Sequence, residues 1–199
     1  ANIYIDDCVE FEPHGVISIG SENIPRSVKN FLPADYSTLK KLKIPDPNKD
    51  GRLPILIGAI SKMREKWGDK IVVCGRAPAP FSSVALLYGI DATMLLFYDN
   101  PQLLQDTIEF FIEHQIVIGK AQLNGGAHAL WIGDCLASSR FVSLEQYKEF
   151  VFEPAKKVIS EFKKIRGLSF YFAGESSINY LEIMANLGAD VLGMSEEGD

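Results

Sequence analysis

The sequence predicts an α/β fold built on a parallel sheet. From Cys74 onward, short β-branched or aromatic runs alternate with long amphipathic segments, each run is flanked by glycine, and the long segments open on capping residues and stop at glycine. That alternation suits an open doubly wound sheet or part of an eight-stranded barrel, and periodicity does not choose between them. No GxGxxG turn follows a strand, which counts against a dinucleotide-binding sheet.

The elements can be justified in chain order. Residues 3–9 and 16–19 have extended character, 44–48 (IPDPN) form a turn, and 53–67 form a helix that Gly68 ends. The strand candidates are 70–74 (KIVVC), 129–132 (ALWI), 168–172 (LSFYF) and 190–194 (DVLGM), neighbours in sequence order if successive β-α units pack side by side. Asp99-Asn100-Pro101 supplies a cap and an N1 proline for a long helix that Gly125-Gly126 stops. Leu104, Ile108, Phe111 and Ile118 form its apolar stripe. Ser143 and Gln146 make a capping box for a helix over 144–165, which Pro154 should kink because it lacks an N–H. Ser177 can cap 178–187, and Gly188 ends that helix.

The chain has 199 residues, of which 47% are hydrophobic, enough to bury one sizeable core. Its net charge of −6 argues against a nucleic-acid partner, because phosphate recognition needs a concentrated basic surface. The stretch Lys156, Lys157, Lys163, Lys164 and Arg166 reads as a solvated helix face. No apolar run approaches the roughly 18 residues that cross a bilayer, and the start lacks a signal-peptide pattern. A cytoplasmic location and no membrane partner are therefore expected. The cysteines Cys8, Cys74 and Cys135 are too scattered for a disulfide framework, and without CxxC or HxC spacing they predict no metal site. The chain opens without methionine inside an apolar run and closes on SEEGD directly after a strand. Residues 1–199 are thus read as a single (β/α) domain that is a piece of a longer chain.

In a parallel barrel, chemistry gathers at the carboxyl ends of strands. Those ends read as Asp6-Asp7-Cys8, Gly75 to Phe81, Gly133-Asp134-Cys135, Ala173-Gly174-Glu175 and Ser195-Glu196. Asp134, directly after an apolar run, needs a ligand or a partner to offset its desolvation; the alternative is a local turn capped through Ser138 or Ser139. Asp7 can act as an acid, a base or a cation stabiliser, and Arg76 can grip a carboxylate or phosphate in a fork or form a structural ion pair. Phe81 and Ser138, beside these ends, are the further candidates for cofactor contact. His14, His114 and His128 read as surface residues.

The segments GRAPAPFSSVALLYG (75–89), YDNPQLLQ (98–105), NGGAHALWIGDCLASSRFVSLEQYKEFVFEPAKKVI (124–159) and NLGADVLGMS (186–195) together resemble the uroporphyrinogen decarboxylase superfamily, in its order and over almost the whole chain. The resemblance implies a (β/α)8 TIM barrel, present here as a partial barrel of about four or five of its eight units. Half a barrel leaves two unpaired edges, so self-association as a homo-oligomer is expected. Members either decarboxylate uroporphyrinogen or move a methyl group between a corrinoid and a thiol or pterin. The opening IDDCVEFE is similar to the strand end that carries the decarboxylases' catalytic aspartate, here Asp7, and to a methyltransferase stretch whose glutamate would be Glu12. DCLASSRFVS, from Asp134, is closer to the methyltransferases.

Thiol-methylating members hold zinc through a His-x-Cys pair at a place that here reads Tyr171 and Ala173, so no zinc is predicted. The resemblance then implies a methyltransferase with a corrinoid (methylcobalamin) as bound co-substrate and a corrinoid protein or a small-molecule methyl acceptor as partner. Asp7 and Asp134 would position or polarise the acceptor, and Arg76 would hold an anionic group. The alternatives are a uroporphyrinogen decarboxylase, whose octacarboxylate substrate needs more cations than Arg76 and Arg140, and a non-catalytic tetrapyrrole-binding subunit.

Overall fold

The computed structural model describes residues 1–3, 8–21 and 23–195. A hairpin of β1 (Ile17–Ser21) and β2 (Ile24–Asn30) precedes α1 (Tyr36–Leu39) and α2 (Leu53–Trp67). Then come β3 (Cys74–Pro78), α3 (Pro80–Tyr88), α4 (Ile90–Asp99), α5 (Pro101–Asn124) and β4 (Ala129–Gly133). After a 3-10 turn at Cys135–Ala137 follow α6 (Leu144–Gln146), a π-helix at Tyr147–Phe152, α7 (Glu153–Lys163) and β5 (Leu168–Phe172). The chain continues with α8 (Ile178–Met184), a 3-10 turn at Ala185–Leu187 and β6 (Val191–Gly193). The four strands from β3 to β6 pair in parallel in sequence order, the arrangement that successive units of a barrel require. No single helix is long and apolar enough to cross a membrane.

Strand alternation divides the sheet into two faces. Leu130, Ile132 and Tyr171 are buried against the helical layer with Ile108, Phe111, Ile118 and Phe162, and each such large side chain stabilises the fold by roughly 1.5–3 kcal/mol relative to exposure. Arg76, Trp131, Phe170 and Val191, aligned across four strands, lie on the other face, which remains partly open. The stripe predicted for α5 is buried throughout, and Asn100 caps the helix by accepting from Leu103 N–H at 3.1 Å. Gly119 lets α5 approach α7 closely, since a Cβ there would stand 2.3 Å from Phe162 Cζ.

The first predicted strand is displaced. Residues 70–73 precede the strand, with Ile71 and Val72 substantially exposed, and pairing with β4 runs over Cys74–Pro78 instead. The stretch placed at the strand's end is the strand itself: Pro78 ends it, and Gly75 makes room for Gln122 of α5, whose Oε1 would lie 2.4 Å from a Cβ at that position. The Gln122 carboxamide accepts from Arg76 N–H (2.9 Å) and donates to Arg76 C=O (2.7 Å), doing for β3 what a neighbouring strand would do. At the chain start, Asn2 bridges Cys74 in parallel, 8–10 form turns rather than a strand, and 4–7 lie outside the described residues.

Pro154 does not break the helix over 144–165. The π-helix runs directly into α7 and absorbs the proline at their junction, where its wider turn accommodates a residue without an N–H. At the other end of α7, Gly167 N–H donates to Phe162 C=O and Arg166 N–H to Lys163 C=O, the Schellman pattern. Its left-handed position holds Arg166 (φ 60) where glycine is usual, at a conformational cost of roughly 1 kcal/mol.

Two of the histidines expected at the surface are not there: one is in the interior and one is half-buried against it. His114 of α5 is fully buried beside Phe11 and Phe111, and His14 packs against it with ring centroids 5.1 Å apart. Neither His114 nitrogen makes a well-formed hydrogen bond among the described residues, and His14 Nε2 has none. Burial lowers the His14 pKa to about 4; burial, then the charge of His14, lowers that of His114 to about 3 against a smaller upward pull from the Glu10 backbone. Aromatic neighbours on α5 shelter these rings, a tertiary effect that local sequence does not announce.

Candidate functional site

Asp134 follows β4 directly and is fully buried. It stands at the start of the Cys135–Ala137 turn, but its side chain does not cap that turn. Its carboxylate accepts from Ser82 Oγ of α3 and from the Tyr171 hydroxyl of β5, both at 2.7 Å. Since Tyr171 spends its proton on Asp134, the contact of 3.2 Å between the Tyr147 and Tyr171 hydroxyls must have Tyr147 as donor. A chain of hydroxyls thus runs from the π-helix through β5 to the end of β4. Burial raises the Asp134 pKa to about 6, with Ser82 and Tyr171 pulling it back. Burial, then the nearby Asp134 charge, raises the Tyr171 phenol well above its ordinary value.

Glu175, after β5, is the second buried acid at this end. Burial alone would raise its pKa, but the amides of Ser177, Ser139 and Ser176 and the Ser139 hydroxyl together bring it below the usual value. Ser195 N–H donates to its backbone carbonyl at 3.0 Å, so one residue ties together the segments that follow β4, β5 and β6.

The structure gathers only part of the predicted site. Arg76 stands in mid-strand on the open face, in register with Trp131, rather than at a strand end. The Trp131 and Phe172 rings meet there at 5.4 Å. Phe81 is buried against Phe97 (5.7 Å), and Ser138 is buried while its carbonyl accepts from the Phe141 and Val142 amides, so neither presents a surface to a cofactor. Asp7 lies outside the described residues. Cys74 begins β3 and exposed Cys135 follows β4, so they sit at opposite ends of the sheet.

Sequence reasoning overlooked Ser82 and Tyr147, and placed Glu175 at a strand end without giving it a role. Only Glu175 had a readable signal, an acid followed by two serines whose amides open a helix. At the positions where the resemblance puts zinc ligands, Tyr171 is bonded to Asp134 and Ala173 is buried with no donor atom; these residues do not fit a zinc ion.

A family model described as uroporphyrinogen decarboxylase (URO-D) matches residues 1–199. The methylcobamide:CoM methyltransferase of Methanosarcina acetivorans is 24% identical over 174 residues, covering 87% of this chain and 50% of its own. The uroporphyrinogen decarboxylase of Aquifex aeolicus is 26% identical over 198 residues, covering 96% and 55%. A solved methyltransferase from Methanosarcina mazei matches with a TM-score of 0.85 at 22% identity, over 96% of this chain and 56% of its own. That likeness shows the fold, an α/β partial barrel. The chain spans about half the length of the curated relatives it matches.

Proposed function

The chain belongs to the uroporphyrinogen decarboxylase family, and from that premise we propose that it forms part of the barrel of a methyltransferase that moves a methyl group to or from a corrinoid. The supporting observation is the character of the strand ends and the open face. Among residues 74–81, 129–140, 168–177 and 191–195 the only cations are Arg76 and Arg140, while Trp131, Phe170 and Phe172 offer aromatic surface. A substrate with eight carboxylates calls for several fixed cations, whereas the largely neutral amide rim of a corrinoid does not.

In this reading Arg76 holds an anionic group of the corrinoid or the acceptor. Asp134 acts at one remove: buried and bonded to Ser82 and Tyr171, it fixes the ends of β4 and β5 against α3 so that the reactants meet a preformed surface. Asp7 is the candidate to face the acceptor directly. No step in this reading runs through zinc, and methylcobalamin, free or carried by a corrinoid protein, is either the methyl donor or the methylated product.

The test is a two-substrate assay on the full-length protein. Methylcobalamin with a panel of thiols and a reduced pterin should lose its methyl-cobalt absorbance, and Arg76→Gln should raise KM for one reactant. Conversion of uroporphyrinogen with methylcobalamin untouched would replace this reading by decarboxylation, for which the Aquifex relative already speaks. Tight corrinoid binding without turnover would replace it by a non-catalytic tetrapyrrole-binding role.

A further inference from the structure

We propose that a cleft at the amino-terminal end of the sheet binds a phosphate-bearing small molecule through Arg64, His128 and Arg166. The cleft, of about 450 Å³, lies at the end of the sheet remote from Asp134. Its lining includes Arg64 near the end of α2, Leu123 and Asn124 at the end of α5, His128 before β4, and Arg166 and Leu168 at the entry to β5.

Three donors converge on it. Val73 N–H donates to His128 Nδ1 at 2.9 Å, which leaves the neutral ring's proton on Nε2 as a donor. Arg64 lines the same cleft as the ring, and burial, then the charge of Arg64, lowers the His128 pKa, with the Val73 backbone and the Asp69 carboxylate offsetting it in part. Arg64 is seated by two glycines, since a Cβ at Gly126 would come within 2.9 Å of Arg64 Cγ and one at Gly68 within 2.4 Å of Arg64 Cδ. Among the described residues neither Arg64 nor Arg166 forms an ion pair.

Arg166 is the least expected of the three donors. A cation near a helix carboxyl end ordinarily answers the helix dipole, and that accounts for Arg64, one turn from the end of α2. It does not account for Arg166, which holds a left-handed conformation that glycine would adopt without strain, for an exposed charge whose dipole interaction is weak and screened. Two planar guanidiniums and one imidazole N–H match the tetrahedral oxygens of a dianionic phosphate, and Leu123 and Leu168 offer apolar surface to the carbon part of an ester.

The proposal does not depend on methyl transfer, and its test uses none. The melting temperature of the full-length protein is followed against inorganic phosphate and against glycerol phosphate, with sodium chloride at matched ionic strength as control. Both phosphates should raise it saturably and chloride should not; tighter binding of the ester points to a phosphorylated metabolite, equal binding to free phosphate. Arg166→Gly should melt higher than the parent without phosphate, yet need at least tenfold more phosphate for half the shift, and Arg64→Gln should weaken binding similarly. Phosphate acting no more strongly than chloride, or Arg166→Gly keeping the parent's phosphate dependence, overturns the proposal.

Discussion

Two buried polar regions of this molecule meet the cost of desolvation in opposite ways. Around Asp134 the groups are paired: a carboxylate takes two hydroxyls, one of which takes a third. Around His114 pairing is minimal, the ring's one polar interaction among the described residues being with the Glu10 backbone, and two imidazoles sit among phenylalanines as neutral rings. Pairing keeps a titratable group polar inside the core, whereas the unpaired rings persist only because burial strips them of charge. The pH dependence of stability therefore has opposite signs in the two places. Asp134, raised from 3.8 to about 6, binds its proton more tightly folded than unfolded, so its contribution is full below pH 3.8 and is lost as pH rises through 6. His14 and His114, lowered from 6.5 to about 4 and about 3, contribute fully above pH 6.5 and lose that contribution as pH falls.

Removing the acceptor at the centre of the paired region should have the largest effect. Asp134→Ala strands the Ser82 and Tyr171 hydroxyls in the core and should cost about 3 kcal/mol in urea unfolding at pH 5, below its folded pKa of about 6, where much of the carboxyl's contribution remains; a loss under 1 kcal/mol would mean that water or a rotamer change replaces the carboxyl. Next come the slopes, measured as unfolding free energy from pH 6.5 to 4.5. His114→Phe should retain roughly 2–3 kcal/mol that the parent loses over that interval, while Asp134→Asn should lose more than the parent because its opposing contribution is gone. Equal slopes in all three proteins would erase the contrast between the regions.

Tyr171→Phe breaks the hydroxyl chain at one link and should cost about 1–2 kcal/mol, with the Asp134 pKa, followed by carbon-13 NMR of its carboxyl, moving further up. The smallest effect belongs to the unpaired region. At pH 7.5, His114→Phe replaces an unsatisfied ring by an apolar one of similar shape and should be neutral or stabilising by up to about 1 kcal/mol in thermal melts.

What could be read from the sequence follows the same division. Elements set by local chemistry were legible: the Asn100 cap, the Ser143–Gln146 capping box, the glycine stop after Trp67, and the apolar strands β4, almost wholly buried, and β5, with alternating burial. Asp134 was legible as a residue in need of a partner, because an acid after four apolar residues poses that question by itself. Its partners were not, since Ser82, Tyr147 and Tyr171 come from three elements whose meeting is a tertiary fact. Arg76 and β3 were misplaced together, because the Gln122 carboxamide that makes the glycine-proline stretch a strand is contributed from 46 residues away. The burial of His114 depends on Phe11 and His14, a hundred residues earlier in the chain.

The π-helix at Tyr147–Phe152 works as a phase adjuster between two stretches of one continuous rod. Relative to an α-helix it carries one extra residue in its turn, so whatever precedes it is rotated by roughly 100° about the axis. That rotation helps aim the Tyr147 hydroxyl at Tyr171 while α7 keeps Val158 and Phe162 in the core. Deleting a single residue within 148–152 would leave composition and apolar content nearly unchanged yet turn Tyr147 out of the hydroxyl chain. This stretch should thus tolerate substitution far better than a change in length.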